Sequence, residues 1–201
     1  MPMKLAVCVS GRGSNLVALL QALRGSDQAR VVLVLSNRAD APALERAREW
    51  GIAAESLTSY RDGAEWLERL THHAVDLVVL AGYLKLVPAE VIRAYRGRML
   101  NIHPALLPDF GGPGMYGHHV HEAVLQSGAK ESGATVHLVD EEYDRGAILA
   151  QARVPVLAGD TPETLAARVL GAEHRLLPAV VLRAAAAGRP VPLADPLASP
   201  A

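Results

Sequence analysis

Lys4-Leu5-Ala6-Val7-Cys8-Val9-Ser10-Gly11-Arg12-Gly13-Ser14-Asn15 opens the chain with a continuous apolar strand that runs straight into a glycine turn. Residues 15–23 follow with apolar side chains at helical spacing. The same alternation repeats downstream. Apolar strands are expected at 31–35, 77–81 and 99–103, with a weaker one at 53–57. Helices are expected between them at 41–50, closed by Gly51, at 64–72 with Trp66, Leu67 and Leu70 on one side, and at 89–95. Nearly unbroken apolar strands separated by helices imply a parallel sheet covered on both faces. The first hundred residues therefore read as an α/β, Rossmann-like, doubly wound half.

The second half reads differently. Residues 104–117 are rich in proline and glycine and suit a functional loop rather than a core element. A short helix is expected at 120–126, and strands at 135–139 and 148–156 are joined by an acidic turn at 140–146, an antiparallel extension of a mostly parallel sheet. Thr161-Pro162 looks like a helix cap followed by proline at the first helical position. That helix should run to about His174, and Pro178 should break or kink it before a second segment at 180–187. One domain over 1–188 is expected, with a Pro-rich, extended or disordered tail over 189–201.

Composition narrows the function classes. A chain of 201 residues supports one sizeable core. Its formal net charge of −1 provides no global basic field for nucleic acid or acidic membranes. No apolar run approaches the roughly 20 residues needed to span a bilayer, and no signal-peptide stretch opens the chain. Cys8 is the only cysteine, which excludes an intramolecular disulfide and fits a reducing, cytoplasmic setting. Its apolar neighbours make it a core residue rather than a nucleophile.

Three stretches carry chemistry. The loop Ser10-Gly11-Arg12-Gly13-Ser14-Asn15 lies between a strand and a helix, where outward backbone N–H groups and the helix dipole make an anion site. The plainer alternative is a tight turn with Ser14 capping the helix. The third glycine of the dinucleotide fingerprint is missing, because Leu16 stands there. Ser36-Asn37-Arg38 offers no acid for a ribose, although Arg38 leaves an NADP reductase reading open, and the P-loop lysine is absent. Asn101-Ile102-His103-Pro104 ends the fifth strand, at the sheet edge that lines ligand crevices in such folds. Asn101 and His103 leave one face and can both donate to a developing oxyanion. The turn Asp140-Glu141-Glu142-Tyr143-Asp144 can fold one carboxylate inward, where it would favour the imidazolium of His103. His118, His119 and His121 suggest a polar, pH-sensitive flap rather than a metal site.

These stretches together resemble the folate-dependent glycinamide ribonucleotide formyltransferases over nearly the whole chain. The resemblance rests on the strings 10–16, Leu80-Ala81-Gly82-Tyr83-Leu84, Asn101-Ile102-His103-Pro104-Ala105-Leu106-Leu107-Pro108, Gly133-Ala134-Thr135-Val136-His137, Tyr143-Asp144-x-Gly146 and Glu173-His174. It implies the formyltransferase fold, with 10-formyltetrahydrofolate as co-substrate and no metal. It also implies small-molecule partners, with 5′-phosphoribosylglycinamide as acceptor, and a monomer or homodimer. Asn101, His103 and Asp144 match the family's catalytic positions. Gly11, Arg12, Gly13, Ser14 and Asn15 fall on its phosphate loop, and Glu173 on its ribose contact. Tyr83, Leu84, Lys85, Leu86 and Val87, with Val139, Asp140 and Glu141, fall on its folate site. Lys85, Ala105, Ala147 and Leu170 depart from the family's usual residues, and the loop 109–117 is a few residues long. Methionyl-tRNA formyltransferases, formyltetrahydrofolate hydrolases and a non-catalytic nucleotide or folate sensor are the neighbouring alternatives. The first two carry further domains that this sequence does not show, and a sensor would lack the Asn/His/Asp set.

Overall fold

A computed structural model describes residues 1–193. The strands β1 (Met3–Val9), β2 (Ala29–Ser36), β3 (Ala53–Ser56), β4 (Leu77–Leu80), β5 (Met99–His103), β6 (Glu131–Leu138) and β7 (Ile148–Pro155) form one seven-stranded sheet. Its order is β3-β2-β1-β4-β5-β6-β7. The first five strands pair in parallel, and β6 and β7 add antiparallel to the β5 edge. The expected α/β architecture and its antiparallel extension are both present.

The sheet is central because its strands are apolar on both faces: β1 is buried from Leu5 to Val9 and β4 throughout. One face packs against α1 (Ser14–Ala22), α2 (Pro42–Glu49) and α6 (Pro162–Ala187), with Leu16, Leu19, Val169, Leu176 and Val180 in the layer between. The other packs against α3 (Gly63–His72) and α4 (Ala89–Ala94) through Trp66, Leu70, Val91 and Ile92. The chain winds from β1 outward to β3, then returns to the other side of β1 as β4. That reversal opens a crevice between the carboxyl ends of β1 and β4, where such sheets bind ligands.

Two expectations change. Pro178 does not divide the last helix, and α6 runs unbroken over 26 residues. Pro178 is itself buried, between Leu177 and the core residues Val180 and Val181. Burial of this continuous apolar face outweighs the one backbone hydrogen bond that proline removes. The strand expected at 135–139 starts instead at Glu131 and pairs with β7 from Glu131↔Pro155 onward. Ser132-Gly133-Ala134, buried but poor in strand formers, conceals its first half.

Beyond α6, the Leu193 N–H donates to the Leu149 carbonyl at 3.0 Å, so the chain returns to β7. The rest of the expected tail, from residue 194, lies outside the described residues. Among those described, no helix is long and apolar enough to cross a membrane.

Candidate active site

The loop at 10–13 is held in the crevice by its own sequence. Ser10 N–H donates to the Gly82 carbonyl at 3.2 Å, which ties the exits of β1 and β4 together. The Ser10 hydroxyl donates to Asn37 Oδ1 at 2.6 Å and accepts from the Leu84 N–H at 2.8 Å. Gly13, at φ 73°, precedes α1, and a Cβ there would sit 2.6 Å from Ala43 Cβ. Only glycine satisfies both the left-handed backbone and the close approach of α2. Ser14 makes no capping hydrogen bond; Gly13 occupies the cap. The first-turn N–H groups therefore have no side-chain acceptor, as an anion site requires.

In the first turn of α1, Asn15 is only 7% exposed, and its Nδ2 lies 2.6 Å from Glu173 Oε2 on α6. Asn15 Oδ1 has no partner among the described residues. Burial pushes the Glu173 carboxyl up to about 7, against the opposing pull of Asn15.

The second group sits at the end of β5. Asn101 and His103 pair with His137 and Thr135 across the β5–β6 ladder, so these four side chains share one face. Asp144 reaches the same point from the acidic turn. Its φ of 54° is left-handed, which Asp tolerates better than most residues. Asp144 Oδ2 lies 3.7 Å from His103 Nδ1 and accepts from the Gly112 N–H at 2.9 Å. Asp144 Oδ1 lies 3.4 Å from Asn101 Nδ2 and 3.5 Å from His137 Nε2. Asn101 Nδ2 and His137 Nε2 are 3.1 Å apart, and His137 Nδ1 donates to the Leu138 carbonyl at 2.8 Å.

Burial and the neighbouring groups oppose one another in setting the charges at this point. Burial pushes Asp144 up, but the His137 hydrogen bond, the His103 charge and the Gly112 N–H together outweigh it and leave the carboxyl below its ordinary range. Asp144 favours the His103 imidazolium, but the buried position of the ring opposes it. His103 is 3% exposed, and loss of hydration lowers its pKa more than Asp144 at 3.7 Å can raise it. The resting ring is neutral, with Nε2–H donating to the Phe110 carbonyl at 2.8 Å and the Nδ1 lone pair facing the carboxylate.

One continuous cavity of about 790 Å³ joins the two groups. Asn101, His103, Asp144, Gly11, Arg12, Gly13, Ser14, Asn15 and Glu173 all line it, as do Tyr83, Leu84, Lys85, Leu86, Val87, Val139 and Asp140. Glu141 does not; its carboxylate reaches Arg93 on α4 at 3.8 Å. Leu84 and Leu86 stand half-exposed on one wall, apolar surface suited to a flat heteroaromatic ring. Arg38 lies outside the cavity and forms two hydrogen bonds with Asp40, at 3.0 and 2.8 Å, which leaves the nicotinamide-cofactor reading without its cation. His118 and His119 pair with Glu122 on the helix α5 (His118–Gln126), and His118 also reaches Glu163. Among the described residues, no group of three or more His, Cys, Asp or Glu is placed to hold a metal ion.

The family model described as formyl transferase matches residues 3–181. The chain belongs to the formyl transferase family. Within it, the phosphoribosylglycinamide formyltransferase of Escherichia coli (strain K12) is 41% identical over 186 residues, covering 89% of this chain and 85% of that one. The chloroplastic phosphoribosylglycinamide formyltransferase of Arabidopsis thaliana is 50% identical, and the match covers 89% of this chain and 64% of the relative. With that of Vigna unguiculata, covered to 59%, the chain spans about six tenths of the plant relatives' length. The crystal structure of glycinamide ribonucleotide transformylase 1 from Symbiobacterium toebii superposes with a TM-score of 0.87 at 41% identity, covering 96% of this chain and 95% of that one.

Several contacts of this family member escape a residue-by-residue reading. His137 stands against Asn101 and Asp144, although as a sequence string it carried no assigned role. Its signal was the spacing Thr135-x-His137, which mirrors Asn101-x-His103 on an antiparallel neighbour. The loop's backbone also enters the site: the Phe110 carbonyl and the Gly112 N–H hold His103 and Asp144. Thr135 anchors that loop, donating to the Ala105 carbonyl at 2.7 Å and accepting from the Leu107 N–H at 3.1 Å.

Proposed function

We propose that this chain transfers the formyl group of 10-formyltetrahydrofolate to the amino group of 5′-phosphoribosylglycinamide. One observation carries the reading: a single cavity runs from an anion-binding helix start to a carboxylate with a carboxamide at 3.4 Å and an imidazole at 3.7 Å from its oxygens. The names of the relatives supply the substrate class, and the geometry supports it independently. The phosphate would lie on the N–H groups of 11–15, the ribose beside Glu173, and the amine before Asn101.

The donor's ring system would rest on Leu84, Leu86, Val87 and Val139, an apolar wall that fits it. When bound, the donor supplies an activated formyl carbonyl at the Asn101 end. Asn101 Nδ2 donates to the negative charge that develops on the carbonyl oxygen as the amine attacks. Such a donor contributes about 10²–10³ in rate. Burial disfavours the His103 imidazolium at rest, and the negative charge forming beside the ring raises its affinity for the proton that the attacking amine loses, so that proton reaches the ring as the oxygen gains charge. Asp144, ionised at rest, takes the amine's proton directly or through one water and passes it to His103 Nδ1, so the carboxylate is restored beside the imidazolium, and the proton leaves on the donor nitrogen as tetrahydrofolate departs.

Donor consumption by the purified protein tests the reading. Tetrahydrofolate should appear only when the ribonucleotide is present. Equal turnover in its absence would make the protein a hydrolase and overturn the proposal.

A further inference from the structure

The Asn15–Glu173 pair faces the substrate end of the cavity with its hydrogen bonding unresolved. Asn15 is buried, donates through Nδ2 to Glu173, and leaves Oδ1 without a partner among the described residues. An amide oxygen presented to a phosphate repels it. Its contact with Glu173 is 2.6 Å, short for an amide N–H donor and ordinary for an O–H donor. A half-turn of the Asn15 amide exchanges Oδ1 and Nδ2 without moving any other heavy atom. A protonated Glu173 could then donate its O–H to Oδ1, and Nδ2 would turn to the anion. The orphaned Oδ1 would gain a donor, and Nδ2 an acceptor in the anion.

We propose that Glu173 acts as a positioning residue in its protonated form, donating to Asn15 so that the Asn15 amide N–H is presented to the substrate phosphate. This rests on the formyl-transfer reading of the cavity and adds a proton to its binding step. The proton comes from solvent and goes to a Glu173 carboxyl oxygen. Burial has already brought this carboxyl to about 7 in the free protein, and a dianionic phosphate nearby raises it further. Other titratable groups sit around it. Arg12 in the loop, His118 and His121 on α5, His137 on β6 and Glu163 on α6 line the same cavity, and His174 is its chain neighbour. α1 contributes none. The upward push on Glu173 comes from burial, against the pull of the Asn15 hydrogen bond.

The sign is distinctive. If the protonated form binds, affinity falls as pH rises above about 7, because the competent fraction drops about tenfold per unit. At pH 8 the substrate phosphate is already a dianion, so roughly 0.9 of a proton should enter on binding, counted from a free-state value of about 7. An ionised Glu173 accepting ribose hydroxyls requires the reverse, proton release and tighter binding at higher pH.

Titration calorimetry with 5′-phosphoribosylglycinamide in buffers of different ionisation enthalpy at pH 8 decides between them. Uptake near one proton, with a Kd about fivefold weaker at pH 8 than at pH 7, is expected. Glu173→Gln keeps a neutral donor, so it should bind within about threefold of the native pH 7 value. It should also lose both the proton uptake and the pH slope. Release, or no proton exchange, in the native protein overturns the proposal and leaves the transfer reading intact. So does a Glu173→Gln variant that binds more than tenfold worse at pH 7. No ribonucleotide binding at any pH would instead overturn the transfer reading, and this inference with it.

Discussion

Replacing Asp144 with asparagine should disable chemistry while sparing the fold and the phosphate end of the site. Asparagine is isosteric and tolerates the left-handed φ of 54° at this position, so the turn should keep its shape. The native carboxylate uses Oδ2 for the Gly112 N–H at 2.9 Å and Oδ1 towards Asn101 and His137, at 3.4 and 3.5 Å. Asparagine has one acceptor for these two tasks. It should give it to Gly112, the shortest of the contacts, and turn its own N–H₂ towards Asn101 and His137. The negative charge that would steady a protonating His103 is gone, and so is the acceptor for the amine's proton. A lost acid–base group of this kind lowers kcat by about 10²–10⁴, or roughly 2.7–5.5 kcal/mol of barrier. The ribonucleotide KM should stay within about threefold, because the loop at 11–15 is untouched. Steady-state rates of tetrahydrofolate formation, with a melting curve to confirm the fold, provide the assay. A kcat within about fivefold of native would refute the role given to Asp144.

Gly111→Ala should also strike the site, since its Cβ would lie 2.6 Å from Leu107 Cδ2 and 3.2 Å from Asp144 Cβ; kcat should fall about tenfold or more as Asp144 is displaced, and an unchanged kcat would show that the loop yields freely. Cys8 is wholly buried and its thiol is pushed up by loss of hydration, so a thiol reagent should titrate nothing in the native protein and one group after denaturation; rapid native labelling would contradict the β1 packing. Asp160 accepts from the Leu157 N–H, the Thr164 hydroxyl and both Arg168 terminal nitrogens at the start of α6. Asp160→Ala should lower Tm by roughly 4–10 °C, read by thermal denaturation, with no loss of kcat at 25 °C.

Much of this architecture is legible in short stretches. The apolar run 4–10 followed by Gly11-Arg12-Gly13 determines a strand, a turn and a helix start, because few other structures can hold that pattern. Asn101 and His103 are legible for a similar reason: two polar side chains at a period of two, ending an apolar strand. What sequence hides is placement that depends on distant partners. Pro178 reads as a breaker, since local propensity does not show the buried face that holds α6 together. Ser132-Gly133-Ala134 reads as a connection, since its strand character comes from pairing with β7. The charge on His103 is the subtlest case. A nearby carboxylate can be guessed, but the balance between its attraction at 3.7 Å and the cost of burying the ring is a property of the folded site.

The fate of the formyl carbon tests the central claim most directly. With donor labelled with carbon-13 at the formyl group, product NMR should place the label on the amine of phosphoribosylglycinamide, one label per tetrahydrofolate formed. Label recovered as free formate, with the ribonucleotide unchanged, would contradict the account.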